Sequence, residues 1–224
     1  MDNRFKLQLI GVQSTPIDHD TARVILSTSS GDIEGIFHHT KGGSGVIWVS
    51  GALGGLDGPS FGIFTILSQK LLSEGISSLR LNYRFPGDFS ECVLDVLVGV
   101  NFLQQKGVDN TALVGHSFGG AVVIMAGAMS RQVKAVVGLS SQSYGARWVD
   151  RLPPRPLLLI HGERDRNLPV RCSQDIYEWA DEPKELVIYK GCGHFLRECH
   201  QELHDLLKNW LVDKLRAGRR QDVA

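Results

Sequence analysis

Three residues of this chain have the side chains needed for nucleophilic catalysis. Ser117 lies in the stretch VGHSFGGA, which fits the pattern Gly-x-Ser-x-Gly. A serine hydroxyl is a poor nucleophile at neutral pH unless a base removes its proton. A histidine can act as that base when a carboxylate orients it, and Asp165 and His194 are the candidates for the two roles. The combination indicates acyl transfer through a covalent serine intermediate.

The glycines around Ser117 have a steric explanation. A strand that turns sharply into a helix strains the central residue, and side chains two positions away on either side would collide. Gly115 and Gly119 occupy those positions, between the β-prone run TALV and the helix-prone run AVVIMAGA, and Gly120 lets the helix pack closer. Such a turn exposes the hydroxyl above the positive end of a helix dipole. The alternative is a glycine-rich turn needed only for close packing.

Asp165 and His194 also follow β-prone runs. Asp165 comes after the apolar run PLLLIHG, and His194 comes after KELVIYKG, between glycines and a helical segment. In a parallel sheet the reactive groups lie in loops at the carboxyl ends of the strands. We therefore expect Ser117, Asp165 and His194 to meet at one edge of a sheet.

The order of predicted elements indicates the fold class. Three short β-prone runs, RFKLQLIGV, ARVILST and IEGIFHH, form an antiparallel opening. Strand and helix patterns then alternate five times, and the closing helix is predicted over residues 194–215. This order predicts an α/β fold in three layers, with a mainly parallel central sheet, antiparallel N-terminal strands and helices on both faces. We expect residues 1–224 to form a single domain.

Composition excludes several classes of function. Twenty-four basic residues balance twenty-four acidic ones, so no basic excess suggests a nucleic-acid partner. No stretch approaches the roughly 18 apolar residues of a membrane span, and the N-terminus does not resemble a signal peptide. The four scattered cysteines are interpreted as reduced thiols: Cys92, Cys172, Cys192 and Cys199. We expect a cytoplasmic protein with a small-molecule acyl substrate, and we leave homo-oligomerisation open.

Three motifs together resemble the α/β-hydrolase fold family over roughly residues 20–215. GHSFGG is similar to the nucleophile elbow of that family, HGERDRNLP to its acid loop and GCGHFL to its histidine loop. The resemblance implies that Ser117 is the nucleophile and that His194 is the general base and then the acid. It implies that Asp165 fixes the imidazole tautomer and stabilises the imidazolium. Separately, we expect neither a cofactor nor a metal.

The resemblance also implies two backbone N–H donors for the tetrahedral oxyanion. One is Phe118, directly after the nucleophile. The other lies in the loop VSGALGGLDG, which begins Ser50-Gly51 where the family often has His-Gly. We choose Ala52 as the second donor, with Leu53 as the alternative. Each donor is worth on the order of 3 kcal/mol in the transition state.

The substrate site is expected to be open. Residues 141–155, where many relatives insert a helical lid, are too few to form one. The compact form is similar to the dienelactone-hydrolase and small-esterase branch. Dienelactone hydrolases use a cysteine nucleophile, however, so we do not expect this chain to share their substrate. Candidate acyl-pocket residues are Leu53, Tyr144, Trp148 and Phe195. Arginines near the same rim, interpreted as solvated surface or as attracting an acidic substrate, are Arg147, Arg151 and Arg166.

Other functions fit the sequence less well. His200 and His204 are an i, i+4 pair, but HQELH has its glutamate one position late for the zinc-protease pattern. The glycine-rich loop does not spell a dinucleotide fingerprint. His116 is interpreted as packed or hydrogen-bonded behind the nucleophile, and His161 as anchoring the turn before the acid. The sequence predicts a serine carboxylesterase. The alternatives are a thioesterase, an amidase or peptidase with the same residues, or a non-catalytic ligand-binding protein.

Overall fold

The computed structural model describes residues 7–221, and of residues 217–221 it describes the backbone only. Within this range nine strands form one sheet in the order β1-β2-β3-β5-β4-β6-β7-β8-β9. The strands are β1 (Leu9–Pro16), β2 (Thr21–Thr28), β3 (Gly31–His38), β4 (Ser44–Val49), β5 (Ile76–Leu81), β6 (Asn110–His116), β7 (Val133–Leu139), β8 (Leu157–Gly162) and β9 (Lys184–Tyr189). Residues 4–6, included in the first predicted strand, lie outside the described range.

Five α-helices and a 3-10 helix connect or follow these strands in the described range. They are α1 (Pro59–Leu72), α2 (Phe89–Gln105), α3 (Phe118–Met129), α4 (Arg171–Trp179), α5 (His200–Gln221) and the 3-10 helix Ala146–Arg151. Among residues 7–221, none of the helices combines the length and the apolar character needed to cross a membrane.

The sheet is antiparallel at its N-terminal end and parallel elsewhere. β1, β2, β3 and β5 pair antiparallel in succession. β5, β4, β6, β7, β8 and β9 pair parallel. All residues of the central strands β4 and β6 are buried, because helices cover both sides of this part of the sheet. The predicted α/β class and the arrangement of its strands are confirmed.

Helices on the two faces form two separate apolar clusters. On one face α2, α3 and α4 contribute buried side chains such as Phe102, Ile124 and Ile176. On the other face α1 and α5 contribute Phe64 and Leu207, among others. The sheet is therefore the middle layer of three, as predicted. The parallel strands turn their carboxyl ends towards the same edge, where the loops carry the candidate functional residues.

The closing helix begins later than the sequence pattern predicts. Its expected range was 194–215, but α5 begins at His200. Leu196 has a positive φ angle of 52°, and this conformation interrupts a right-handed helix. The segment before His200 is therefore a loop. His194 lies in this loop and not in the first turn of the helix.

The start of α1 is also irregular. Ser60, Phe61 and Gly62 have φ angles of 51°, 59° and 86°, in the left-handed region. The Ser60 backbone N–H donates to the carbonyl of Phe195 at 2.9 Å. Its hydroxyl donates to the carbonyl of Leu196 at 3.1 Å. The strained turn of α1 is thus hydrogen-bonded to the loop that carries His194.

Candidate active site

Ser117 occupies the sharp turn between β6 and α3. Its backbone has φ 58° and ψ −119°, a strained conformation for a residue with a side chain. A Cβ atom at Gly115 would overlap the carbonyl of Gly119, and one at Gly119 would overlap the carbonyl of Ser50. Both glycines are therefore required by close backbone packing, as the steric explanation states. The turn places Ser117 at the N-terminus of α3, where helix N–H groups favour negative charge.

Asp165 and His194 are hydrogen-bonded to each other in the loops after β8 and β9. His194 Nδ1 lies 2.7 Å from Asp165 Oδ2. The other carboxylate oxygen, Oδ1, accepts the backbone N–H groups of Asn167 at 2.8 Å and Leu168 at 2.9 Å. The Asp165 side chain is fully buried and that of His194 is 9% exposed. The carboxylate is therefore fixed on both oxygens.

The hydrogen bonds around Asp165 keep it ionised. Burial alone would raise its pKa, but the hydrogen bonds from Leu168, His194 and Asn167 outweigh burial and hold the pKa below its ordinary value. An ionised carboxylate only accepts hydrogen bonds, so His194 carries its proton on Nδ1. Nε2 is then the ring nitrogen left to accept a proton.

A second histidine also contacts Asp165. His161 Nε2 lies 3.1 Å from Asp165 Oδ2 and 3.1 Å from the carbonyl of Leu168. Its Nδ1 lies 2.7 Å from the hydroxyl of Ser173. Burial lowers the pKa of His161, so the ring is neutral and donates from Nε2 while Ser173 donates to Nδ1. The contact with Leu168 agrees with the predicted anchoring of the turn. The contact with Asp165 was not predicted.

His116 lies behind the histidine loop. Its Nε2–H donates to the backbone carbonyl of His194 at 3.1 Å. Its ring centroid lies 4.8 Å from that of His194 and 5.6 Å from that of Phe195. Burial lowers the pKa of His116 to about 4, so the ring stays neutral at physiological pH. His116 thus supports the backbone at His194, which agrees with its interpretation as a packed residue.

Ser117 and His194 line one cleft of about 510 Å³. Residues 50–59 form one of its sides, and Asn167, His194 and Phe195 form part of the other. Among residues 7–221, no hydrogen bond joins Ser117 Oγ to the His194 ring. In enzymes without bound substrate such hydrogen bonds are often long and shorten in the reacting complex. The structure therefore brings Asp165 and His194 into contact and places Ser117 in the same cleft.

The glycine-rich loop, residues 50–58, is attached to the end of β5. The Tyr83 hydroxyl donates to the carbonyl of Ser50 at 3.2 Å. Asn82 Oδ1 accepts the backbone N–H of Gly55 at 2.9 Å. These contacts hold the loop at its start and near its middle. Sequence reasoning missed both residues, because they follow a strand that is distant from the loop along the chain.

Arg80 attaches the far end of the same loop. Its guanidinium donates to Asp57 Oδ1 at 3.0 Å and to Thr65 Oγ1 at 2.6 Å. Its Nε donates to His38 Nε2 at 3.3 Å. Burial, and secondarily the charge of Arg80, lower the pKa of His38 to about 4. The neutral His38 ring can therefore accept the hydrogen bond from Arg80.

One predicted oxyanion donor, Phe118, directly follows Ser117, and the loop predicted to supply the other lies against Ser117 at Gly51. Phe118 is the first residue of α3, so its N–H has no acceptor within the helix. Gly51 lies against the nucleophile, since a Cβ built on it would be 3.8 Å from Ser117 Oγ. Ala52 and Leu53 follow in a turn closed by a hydrogen bond from the Gly54 N–H to the Gly51 carbonyl, at 2.9 Å. The assignment of Ala52 or Leu53 stays a prediction.

The four candidate pocket residues separate into two pairs. Leu53 and Phe195 line the Ser117 cleft and are 97% and 46% exposed. Tyr144 and Trp148 do not line it. Trp148 stacks instead with Arg151, whose guanidinium carbon lies 4.0 Å from the ring centroid. Proximity in sequence to the motifs did not bring this second pair to the cleft.

No metal site is formed in the part of the chain that the structure describes. Within residues 7–221, no three histidine, cysteine or acidic side chains are grouped so that they could hold a metal ion. The rings of His200 and His204 lie 6.4 Å apart in an edge-on arrangement. His200 lies on the exposed face of α5, whereas His204 is buried.

The sheet order and the position of Ser117 after a central strand define the α/β-hydrolase fold. Solved structures with this fold include a dienelactone hydrolase from Anabaena variabilis, with a TM-score of 0.74 and 18% identity, covering 88% of this chain and 100% of that one. Est1E from Butyrivibrio proteoclasticus has a TM-score of 0.75 and 17% identity, covering 87% and 99%. An esterase from Pyrococcus furiosus has a TM-score of 0.68 and 19% identity, covering 87% and 91%.

Similarity at the level of sequence is more limited. The uncharacterized protein YfhR of Escherichia coli strain K12 is 34% identical over 77 residues, which are 34% of this chain and 26% of that protein. YfhR of strain O157:H7 is 41% identical over 57 residues, which are 25% of this chain and 20% of that protein. The chain therefore matches about a quarter or less of the length of these relatives. No protein-family model matches it.

Proposed function

We propose that the protein is a serine hydrolase that cleaves carboxylic esters through an acyl-enzyme on Ser117. The observation that carries the proposal is the buried pair of Asp165 and His194, joined at 2.7 Å beside the cleft that Ser117 lines. An ionised carboxylate that holds an imidazole by Nδ1 leaves Nε2 available as a base. The dienelactone hydrolase and esterases that share the fold give further support.

In the proposed reaction, Ser117 Oγ bonds to the ester carbonyl carbon while His194 Nε2 takes its proton. The carbonyl electron pair moves to the oxygen, which the N–H of Phe118 and the N–H of Ala52 or Leu53 stabilise. The intermediate collapses and the bond to the leaving alcohol breaks, with His194 returning the proton to that oxygen. A water molecule then attacks the acyl-enzyme by the same steps and releases the acid.

A fluorophosphonate probe tests the nucleophile directly. The wild-type protein should be labelled, and Ser117→Ala should not, because only an activated serine attacks the probe. Ser73→Ala is the matched control, since Ser73 is an exposed serine on the turn after α1. Ser117→Ala should also lower the turnover of p-nitrophenyl esters by on the order of 10⁴-fold. A folded wild-type protein that is not labelled would contradict the proposal and favour a ligand-binding protein on the same fold.

A further inference from the structure

A second cleft, of about 400 Å³, adjoins the Ser117 cleft at His194. The two clefts share Asn167, His194 and Phe195. The second cleft is also lined by Arg164 and Arg166, which flank the acid loop. A molecule bound at Ser117 can therefore extend past His194 to two guanidinium groups.

The second cleft carries an excess of positive charge. Neither Arg164 nor Arg166 forms an ion pair with any residue in the range 7–221. Arg84, by contrast, which lies outside this cleft, pairs with two carboxylates. The acidic residue of the second cleft is Glu198. Its Oε2 accepts the N–H of Gly193 at 3.1 Å, and hydrogen bonds from its own backbone and from Gly193 lower its pKa. The lining of the second cleft thus contains two arginines without an ion pair and one carboxylate that is already bonded to the backbone.

The side of the Ser117 cleft that residues 50–59 form is apolar, unlike the second cleft. Its apolar lining residues are Leu53, Leu56 and Pro59. Its one charged lining residue is Asp57, whose carboxylate pairs with Arg80 at 3.0 Å. This side therefore offers apolar contacts to a bound molecule, and its charge is neutralised by the protein itself.

The proposed mechanism predicts which cleft binds the acyl group of a substrate and which binds the leaving group. In the proposed mechanism His194 returns its proton to the leaving group, so the leaving group must lie beside His194. The second cleft begins at that point. We propose that the substrate is an ester with an apolar acyl group and an anionic leaving group, and that Arg164 and Arg166 bind a carboxylate or phosphate of the leaving group. This inference rests on the proposed function.

Guanidinium groups suit this role because they donate two parallel hydrogen bonds to a planar or tetrahedral oxyanion. The arginines are exposed, so the interaction should be moderate and should weaken as salt is added. They precede and follow Asp165 in the chain. Anchoring of Asp165 by Asn167 and Leu168 therefore also positions the loop that presents the two guanidinium groups.

The test compares three butyrate-sized esters with nitrophenol leaving groups. One is uncharged, one has a carboxylate on the phenol ring, and one has a carboxylate at the end of the acyl chain. For the wild-type protein, the ester with the charged leaving group should have a KM about tenfold below that of the uncharged ester. The acyl-chain carboxylate should give no such advantage.

Two double variants separate local binding from net charge. Arg164→Gln with Arg166→Gln should reduce the KM ratio of the uncharged to the leaving-group-charged ester to about one. Lys41→Gln with Arg131→Gln removes the same charge from exposed positions elsewhere and should keep the wild-type ratio. Equal KM values for the two esters in the wild-type protein, or an unchanged ratio in the first double variant, would overturn the inference while leaving the proposed function standing.

Equilibrium binding distinguishes failure of the inference from failure of the proposed function. Ser117→Ala protein is titrated calorimetrically with a carboxylated phenol and with phenol itself, whose hydroxyl stays protonated at neutral pH. Tighter binding of the carboxylated phenol by about tenfold, lost with the two arginine substitutions, supports an anion site even if no ester is hydrolysed. Equal binding of both phenols rejects the anion site whether or not esters are hydrolysed.

Discussion

The histidine side of the Ser117 cleft (residues 161–168 and 190–196) and the glycine-rich loop (residues 50–58) are positioned by different contacts. On the histidine side, one ionised carboxylate accepts hydrogen bonds from two backbone N–H groups and from the imidazole of His194. The glycine-rich loop has no buried charge of its own. Asn82 and Tyr83, directly after β5, hold its backbone, and Arg80 of β5 holds it through the Asp57 side chain.

The difference follows from what each side supplies in the proposed reaction. The histidine side supplies a proton acceptor, whose tautomer depends on the charge of a neighbouring side chain. The glycine-rich loop supplies a backbone N–H, whose usefulness depends only on where it points. Substitutions that change charge should therefore be severe on the histidine side. On the glycine-rich side, substitutions should act in proportion to how far they let the backbone move.

Among the substitutions that test this difference, Asp165→Asn is expected to have the largest effect. An amide can donate to His194 Nδ1 and so leave the proton on Nε2, the tautomer that cannot act as a base. We expect kcat for ester hydrolysis to fall by about 10³- to 10⁴-fold, with folding retained by circular dichroism. Asp175→Asn is the control, because Asp175 forms a surface ion pair with Arg171 on α4. A loss below tenfold would mean that the charge of Asp165 is not needed.

The next largest effect is expected at Asn82, on the other side of the cleft. Asn82→Leu removes the oxygen that accepts the Gly55 N–H, so the glycine-rich loop can shift and misplace its oxyanion donor. Loss of one such donor costs about 10²- to 10³-fold, so a displaced donor should lower kcat by about 10- to 100-fold with little change in KM. Asn82→Asp keeps an accepting oxygen and should restore most of the activity. Equal losses in both variants would refute a positioning role.

The comparison also explains which contacts the sequence could predict. Ser117, Asp165 and His194 each follow a strand directly, and the periodicity and glycines that mark strand ends are local signals. The fold class follows from the same signals and is confirmed. The contacts of Asn82 and Arg80 join β5 to a loop some 25 residues earlier, and no local pattern encodes such a pairing.

Other differences from expectation have a similar origin. The left-handed turn at Ser60 and the loop before α5 are joined by hydrogen bonds between distant segments, whereas the helices were predicted there from local apolar spacing alone. Tyr144 was assigned to the pocket because it is near a motif in the sequence. Tyr144 lies in the loop between β7 and the 3-10 helix, is 81% exposed and does not line the Ser117 cleft.

The pH dependence of the free energy of unfolding compares two buried histidines. His116 packs behind the histidine side, and His38 contacts Arg80, which holds the glycine-rich loop. Each has a pKa lowered to about 4, by burial first, so the unfolded chain binds protons more readily than the folded one between pH 6.5 and 4. Stability is therefore complete above pH 6.5 and falls as the pH drops. From pH 6.5 to 5 each histidine should cost about 2 kcal/mol.

Urea unfolding at pH 7 and pH 5 measures this cost. His38→Gln and His116→Gln should each reduce the pH-dependent loss by about 2 kcal/mol relative to the wild-type protein. His19→Gln is the control, because His19 has an exposed side chain and lies outside both sides of the cleft. The same pH dependence in wild type and both variants would show that neither ring is kept neutral by the fold.

The smallest effect is expected for Asp57→Asn, at the outer end of the glycine-rich loop. The Asp57 side chain is 75% exposed, so water already screens much of its attraction to Arg80. The amide keeps an oxygen that can accept from Arg80 and from Thr65, whose hydroxyl now donates to Asp57 Oδ1 at 2.7 Å. We expect stability to fall by about 1 kcal/mol or less and kcat by no more than about threefold. A loss as large as that of Asn82→Leu would mean that charge, and not backbone attachment, positions this loop, and the contrast between the two sides would then disappear.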